Sequence, residues 1–258
     1  MPTLKTQQLQ LMKKIKLLSL VSLFLFLNCE TEKQKFPIDK RYWTPDDYVS
    51  IIRTLKYGYK SDDKLPTFNN PETRIVVEKL TDQQNFKIVL TDTELGLSYK
   101  NEVATSFFDR WRDMNGIYDA VDRKDKYIYE KEMLAVWHFG LKLQLYYFKL
   151  GNDKIIQESD DPESNATKRN VLSNANTLIK NYTIYLDEIN HEKYYSESGL
   201  DSYAKGIDLY FEELVELYPN ANYENMLRKI DLMAKKSNSE KVKSSLNNLK
   251  KNIESKKV

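Results

Sequence analysis

The feature that most constrains this chain is a segment near its middle, residues 125–150, whose apolar side chains would cover nearly all sides of a helix. A helix that is apolar all round has to be buried, because no face of it suits contact with water. Charged residues interrupt the segment, so it lacks the run of about 18 apolar residues that predicts a membrane span. We therefore predict a central core helix that ends near Gly151, followed by an acidic loop over residues 152–161. The apolar residues of this helix are Val136, Trp137, Phe139, Leu141, Leu143, Leu145, Tyr146, Tyr147, Phe148 and Leu150.

The scarcity of glycine and proline predicts that long helices with few tight turns surround this core helix. The sequence has only 7 glycines and 7 prolines among 258 residues, and turns between strands consume both residue types. Thr44-Pro45-Asp46-Asp47 has the capping residue, proline and acidic residues that are typical of a helix start, and Gly58 suits its end. Asn70-Pro71-Glu72 and Asp161-Pro162-Glu163 repeat that pattern.

Apolar residues recur at steps of three and four through most of the remaining chain, which is the period of a helix with one buried face. We predict a fold of class all-α, an irregular multi-helix bundle of about eight helices around the central apolar helix. The positions predicted to face inward are Val49, Ile52 and Leu55; Val103, Phe107, Trp111, Met114, Tyr118 and Val121; Val171, Ala175, Leu178, Tyr182, Leu186 and Ile189; Ala204, Ile207, Phe211, Leu214 and Leu217; Met226, Leu227, Ile230 and Met233; and Val242, Leu246, Leu249 and Ile253.

Residues 86–97 are the one ambiguous segment. Phe86, Ile88 and Leu90 alternate with polar residues as in a strand. No partner strand is evident, and an isolated strand is not stable. A helix or irregular structure is therefore the favoured interpretation.

A short α-solenoid of tetratricopeptide type is the alternative architecture. Phe211 and Pro219, in the last predicted helices, resemble two positions of that repeat. Its glycine, alanine and tyrosine positions are missing, and no period recurs along the chain. These absences favour the bundle.

The N-terminal residues have the pattern of a secretory signal peptide. Lys13, Lys14 and Lys16 precede an apolar stretch, residues 17–27, that only serines interrupt. This order matches the basic and hydrophobic regions of an export signal. The stretch is shorter than the roughly 20 residues that a membrane-spanning helix needs. Translation from Met1 or from Met12 would retain the signal.

The end of this stretch, Leu25-Phe26-Leu27-Asn28-Cys29, resembles a bacterial lipoprotein signal in the relaxed form found in spirochaetes. The resemblance implies that residues 1–28 are a cleaved signal peptide and that Cys29, the only cysteine, is lipidated and anchors the chain to a membrane of the bacterial cell envelope. Residues 29–43 are then predicted to be a lipidated tether, and residues 44–258 a single helical domain. A membrane helix that contains a cysteine by chance is the alternative.

The charge of the exported part argues against a nucleic-acid partner. The whole chain has 40 basic and 38 acidic residues, but residues 1–28 hold four of the lysines and no acid. The remainder therefore has a net charge of −2 and lacks the basic excess typical of nucleic-acid binders.

No metal or cofactor motif is present in the sequence. His138 and His191 lie in different predicted helices, and neither has further ligands at the spacing of a zinc site. We predict that His138 is partly buried on the aromatic helix and that His191 lies near a helix end, where a cation is favoured. Motifs for a phosphate loop or a nucleophilic serine are also missing.

Two carboxylates form the best catalytic candidate. Asp109 and Asp113 lie four residues apart on one face of a predicted helix, beside Trp111. Acid–base chemistry would require burial to separate the pKa values of the two carboxyl groups. Arg110 and Arg112 flank them, so a solvated face of mixed charge explains the same pattern.

Aromatic and basic residues supply two further candidate surfaces. Tyrosine-rich surfaces favour binding, and Tyr57, Tyr59 and the pair Tyr194-Tyr195 are predicted to lie in or beside loops. Tyrosines that fill the core, with their hydroxyls at its rim, are the alternative. A basic last helix suits an anionic membrane, although docking of its apolar stripe on the domain is the favoured interpretation. Its basic residues are Lys241, Lys243, Lys250, Lys251, Lys256 and Lys257.

These patterns predict a membrane-anchored envelope lipoprotein that acts as a binding or structural interaction module toward a protein or an envelope polymer. No catalytic, cofactor-binding or metal-binding residue is predicted. One alternative is an envelope enzyme that uses Asp109 and Asp113. The other is a carrier of an apolar ligand, which would need a sizeable cavity in the helical core.

Overall fold

The computed structural model describes residues 35–59, 65–118 and 127–256, and every regular element in these ranges is helical. The predicted all-α class is confirmed. The predicted signal peptide and Cys29 lie outside the described residues. No helix in the described ranges has the length and hydrophobicity to cross a membrane. The elements are α1 (Pro45–Tyr57), α2 (Arg74–Leu80), α3 (Gln84–Leu90), α4 (Leu97–Met114), α5 (Glu130–Gln157), α6 (Asn165–Tyr185), a 3-10 helix (Leu186–Tyr194), α7 (Glu197–Gly206), a π-helical segment (Ile207–Phe211), α8 (Glu212–Leu217), α9 (Glu224–Lys236) and α10 (Glu240–Lys256).

The long helix α5 is the centre of a bundle, as its apolar pattern predicts. It packs against α4 and α6, its neighbours along the chain, and also against α7. A single hydrophobic core extends from Phe36 to Ile253. Contacts between helices that are distant in sequence, such as α1 with α4 and α10 with α7, distinguish a bundle from a solenoid, in which each repeat contacts only its neighbours. The tetratricopeptide-like alternative is therefore wrong.

The predicted end of α5 near Gly151 is wrong, since the helix continues to Gln157. Asn152 is buried, donates to the Tyr218 hydroxyl at 3.3 Å and accepts from Asn174 at 3.1 Å. These hydrogen bonds let a polar residue remain inside the bundle. The first half of the predicted acidic loop is therefore helical.

Of the three helix starts predicted from a capping residue followed by proline, only the one with a full capping box is placed correctly. The Thr44 hydroxyl accepts from the backbone N–H of Asp47, and the Asp47 carboxylate accepts from the backbone N–H of Thr44 at 2.9 Å. Asn70 and Asp161 instead cap turns, each accepting from the backbone N–H two residues later at 3.0 Å. The helices α2 and α6 consequently begin a few residues after the predicted starts.

The ambiguous segment is helical in its first part, where α3 lies, which agrees with the favoured interpretation. Most positions predicted to face inward are buried, but Val49 is 50% exposed and its neighbour Tyr48 takes the core position. Leu217 is also exposed. It is the last residue of α8 and follows Leu214 and Val215, which are fully buried.

The domain begins earlier than the predicted tether boundary allows. Phe36 and Trp43 are fully buried, and the Trp43 indole N–H donates to the Pro37 carbonyl at 3.0 Å. Residues 35–43 therefore belong to the core, and the prediction of a tether over 29–43 is wrong for that part.

The last helix, α10, is docked on the domain, as favoured. Its apolar stripe is buried against α7, α9 and the π-helical segment. Two of its lysines form ion pairs with those neighbours, Lys241 with Asp201 and Lys250 with Asp231.

Candidate functional site

A close approach of α4 and α5 positions the first side chain of the candidate site. A methyl group on Gly140 of α5 would lie 2.0 Å from the Trp111 indole of α4, so only glycine lets the ring lie directly on α5. The Trp111 indole N–H donates to the Val136 carbonyl at 3.2 Å. The sequence alone indicates no reason for a glycine inside an apolar helix, and this packing supplies one.

An open cleft of about 250 Å³ lies beside Trp111, between α4, α5, α6 and the 3-10 helix. This volume is close to the lower end of the roughly 300–1,000 Å³ that is typical of small-molecule sites. The lining residues are Trp111, Asn115, Trp137, Leu141, Gln144, Asn181, Ile184, Tyr185, Asp187, Glu188 and His191.

Three aromatic rings form the apolar part of the cleft. Trp137 packs edge-on against Tyr185, with ring centroids 5.7 Å apart. The Trp137 indole N–H donates to the side-chain carbonyl of Asn115 at 3.0 Å. Because both indole N–H groups are satisfied within the protein, Trp111 and Trp137 offer ring surface rather than hydrogen-bond donors to a ligand.

The polar part of the cleft is formed mainly by side-chain amides. Gln144 donates to the Gly140 carbonyl at 3.2 Å and accepts from the Asn181 amide at 2.9 Å. No described residue donates to the Asn181 carbonyl oxygen or accepts from the Asn115 NH₂ group. These two groups can therefore bind a ligand without breaking a hydrogen bond of the described structure.

The two acids of the cleft already have partners. Asp187 forms an ion pair with Lys229 of α9. One oxygen of the Glu188 carboxylate accepts from the hydroxyls of Tyr127 and Tyr195, each at 3.0 Å. Both acids are therefore held in place as part of the cleft wall.

His138 lies behind the cleft and supports Tyr185. Its Nε2 is 3.0 Å from the Tyr185 hydroxyl, and a methyl group on Gly206 would lie 2.3 Å from the same nitrogen. Burial lowers the pKa of His138 to about 4, so the imidazole is neutral at physiological pH. The predictions of a partly buried His138 and of His191 near a helix end are confirmed, and His191 also lines the cleft.

The predicted acidic pair lies apart from the cleft. Asp109 and Asp113 are both about half exposed, and neither lines the cleft beside Trp111. Asp113 pairs with Arg110 at 3.1 Å and Asp109 with Arg112 at 3.8 Å. The structure therefore places them on a solvated face of mixed charge.

The tyrosine candidates fall into two groups. Tyr57 is 80% exposed, and Tyr59 packs partly against the core. Tyr194 ends the 3-10 helix, and Tyr195 lies in the short connection to α7, so this pair lies in or beside a loop as predicted, although Tyr195 is buried. Burial and the neighbouring Glu188 raise the pKa of Tyr195.

No three histidine, cysteine, aspartate or glutamate side chains within the described ranges are grouped closely enough to hold a metal ion. The cleft was missed at the sequence level because its lining comes from four elements, and no local pattern shows which of their side chains face one another. The available signals were two tryptophans and a glycine on facing helices. The chain matches no model of a known protein family, no characterised protein and no solved structure.

Proposed function

We propose that this protein is a lipid-anchored binding protein of the bacterial cell envelope, and that its cleft holds a sugar unit of an envelope glycan. The lipobox-like sequence before Cys29 supports the address. The observation that carries the binding role is the combination, in one open cleft, of two tryptophan rings with side-chain amides.

A sugar ring matches this combination. A pyranose has C–H groups on its faces, which pack on aromatic rings, and hydroxyls at its edge, which donate to and accept from amides. Trp111 and Trp137 supply the ring surface, and Asn115 and Asn181 supply a donor and an acceptor. Asp187 and Glu188 already hold partners within the protein, so the two amides offer a sugar its hydrogen bonds.

Titration with an N-acetylglucosamine disaccharide tests the binding role, with tryptophan fluorescence and calorimetry as readouts. We expect saturable binding to the wild-type protein and none to sorbitol, which has hydroxyls but no ring face. In Trp137→Ala the affinity should fall about fivefold or more, because ring stacking of this kind contributes about 1 kcal/mol or more. Tyr99→Ala removes an aromatic ring that is 51% exposed outside the cleft and should bind as the wild type does.

A panel of envelope sugars without any saturable response would contradict the proposed ligand class. Equal binding by wild type and Trp137→Ala would contradict the site. The proposed lipid anchor has a separate test, the intact mass of the protein extracted from its own membranes. A chain that begins at acylated Cys29 agrees with the proposal, and an unprocessed chain without acyl groups contradicts it.

A further inference from the structure

We infer that the end of the domain at which residue 35 enters the core lies directly on the bilayer that holds the Cys29 lipid. This inference depends on the lipidation proposed above. Only six residues, 29–34, precede Lys35 after cleavage, and Phe36 is already fixed in the core. At about 3.4 Å per extended residue, these residues span at most about 20 Å. The chain therefore keeps this end of the domain close to the membrane.

The surface near this end carries the apolar side chains with the highest exposed fraction. Tyr57 is 80% exposed and Ile128 is 70% exposed. Among the described large hydrophobic residues these two are the most exposed, and Ile184 follows at 58%. Burial of these side chains in lipid would remove apolar surface from water and so stabilise the membrane-bound domain.

Contacts between their neighbours place Tyr57 and Ile128 at the same end. The Lys35 ammonium lies 5.1 Å from the ring centroid of Tyr59, two residues after Tyr57. The Tyr129 ring, adjacent to Ile128 in sequence, lies 5.6 Å from that of Tyr118. The Tyr129 hydroxyl accepts from the backbone N–H of Leu65 at 3.1 Å, and the Tyr118 hydroxyl donates to the Pro66 carbonyl at 3.0 Å, so both rings contact the segment that follows Tyr59 in the chain.

Basic side chains surround these apolar residues. Arg53 and Lys56 are exposed on the last turns of α1, four residues and one residue before Tyr57, and Lys35 lies beside Tyr59. Tyrosine is enriched at membrane interfaces, and each basic residue near an anionic surface contributes about 1 kcal/mol. We call Lys35, Arg53, Lys56, Tyr57 and Ile128 the anchor-side patch.

The C-terminal helix is the competing membrane surface, and its structure argues against that role. Its apolar stripe is already buried in the domain. Lys241 and Lys250 are paired with Asp201 and Asp231 on neighbouring helices, which reduces their attraction for anionic lipid. The anchor-side patch is therefore the surface that we assign to the bilayer.

Photo-crosslinking of the full acylated protein tests this assignment. The photoreactive residue p-benzoylphenylalanine replaces Tyr57 or Ile128 in two probes, and Leu209 or Leu232 in two controls. The control positions are 55% and 48% exposed, on elements without extensive contact with α1. Each variant is placed in vesicles of phosphatidylethanolamine and phosphatidylglycerol, after its thermal unfolding has been matched to wild type.

We expect several-fold more lipid adducts at positions 57 and 128 than at positions 209 and 232. Equal yields at all four positions would show a domain that turns freely on its tether, and no adducts at any position would show a domain held away from the bilayer. Either result overturns the inference. Mass spectrometry of the same samples tests the proposed lipidation separately. If the lipidation is wrong, Cys29 carries no acyl groups; if only the membrane-facing patch is wrong, Cys29 is acylated.

Discussion

Two groups of aromatic rings in this bundle differ in their access to water. The closed cluster, Trp43, Tyr48, Phe86, Phe107 and Phe139, is almost completely buried. Its rings pack mostly edge to face, as in Phe86 against Phe139 at 5.1 Å. The open group lines the cleft and consists of the partly exposed Trp111 and Trp137 and the buried ring of Tyr185. Both groups use side chains of α5, so aromatic content alone does not separate a core from a binding site.

Hydrogen bonds through the Asn85 side chain connect Trp43 and Tyr48 of the closed cluster. The Asn85 side chain accepts from the backbone N–H of Trp43 at 2.8 Å and donates to the Tyr48 hydroxyl at 2.9 Å. Tyr48 in turn donates to the Leu80 carbonyl at 2.6 Å. The open group borders the cleft, where the Asn115 NH₂ group and the Asn181 carbonyl oxygen have no hydrogen-bond partner among the described residues and remain available to a ligand. This comparison predicts that the closed rings serve stability and the open rings serve binding.

Truncation of a ring in the closed cluster should have the largest effect. In Trp43→Ala we expect the free energy of unfolding to fall by about 3–5 kcal/mol, because the change leaves a cavity among fully buried rings. Chemical denaturation measures this loss. Trp137→Ala, at a partly exposed ring, is the matched control and should lose clearly less. Equal losses would break the distinction between the two groups.

The next largest effect should come from acidification, which lowers the stability that the neutral His138 behind Tyr185 contributes. Burial lowers the pKa of His138 to about 4, below the value of an unfolded histidine. The unfolded chain therefore binds the extra proton first, and this contribution to stability is complete above about pH 6.5 and lost as the pH falls toward 4. From about pH 7 to about pH 4.5, the free energy of unfolding should fall by about 2–3 kcal/mol from this group.

His138→Gln isolates that contribution from the titration of carboxylates. Glutamine keeps a partner for the Tyr185 hydroxyl but does not titrate. The difference in unfolding free energy between wild type and variant should therefore shrink or reverse on acidification. A constant difference across this range would mean that the imidazole is solvated in both states.

Sequence patterns predict this fold better than they predict its cleft, for a physical reason. The period of α10 and the capping box of α1 are local signals, and both predictions are confirmed. The exposure of Leu217 at the end of α8 and the burial of Phe36 before the first helix do not show in a local pattern. The cleft depends on one close approach between helices, which no periodicity encodes. His138 and Trp111 were identifiable as residues, but not as the support and the lining of a common site.

A single methyl group should distinguish the close approach at Gly140 from an ordinary helical glycine. Gly140 and Gly151 both lie inside α5, but a methyl group at Gly151 would be 3.7 Å from its nearest neighbour, which is normal contact. Gly151→Ala should therefore stabilise the protein by about 0.4–1 kcal/mol through the loss of backbone freedom in the unfolded chain. Gly140→Ala must displace the Trp111 ring and should destabilise it by about 1–3 kcal/mol. Denaturation of both variants measures the pair, and glycan titration follows the position of the ring. If Gly140→Ala is as stable as Gly151→Ala and binds glycan normally, then Gly140 does not determine the position of the Trp111 ring in the cleft.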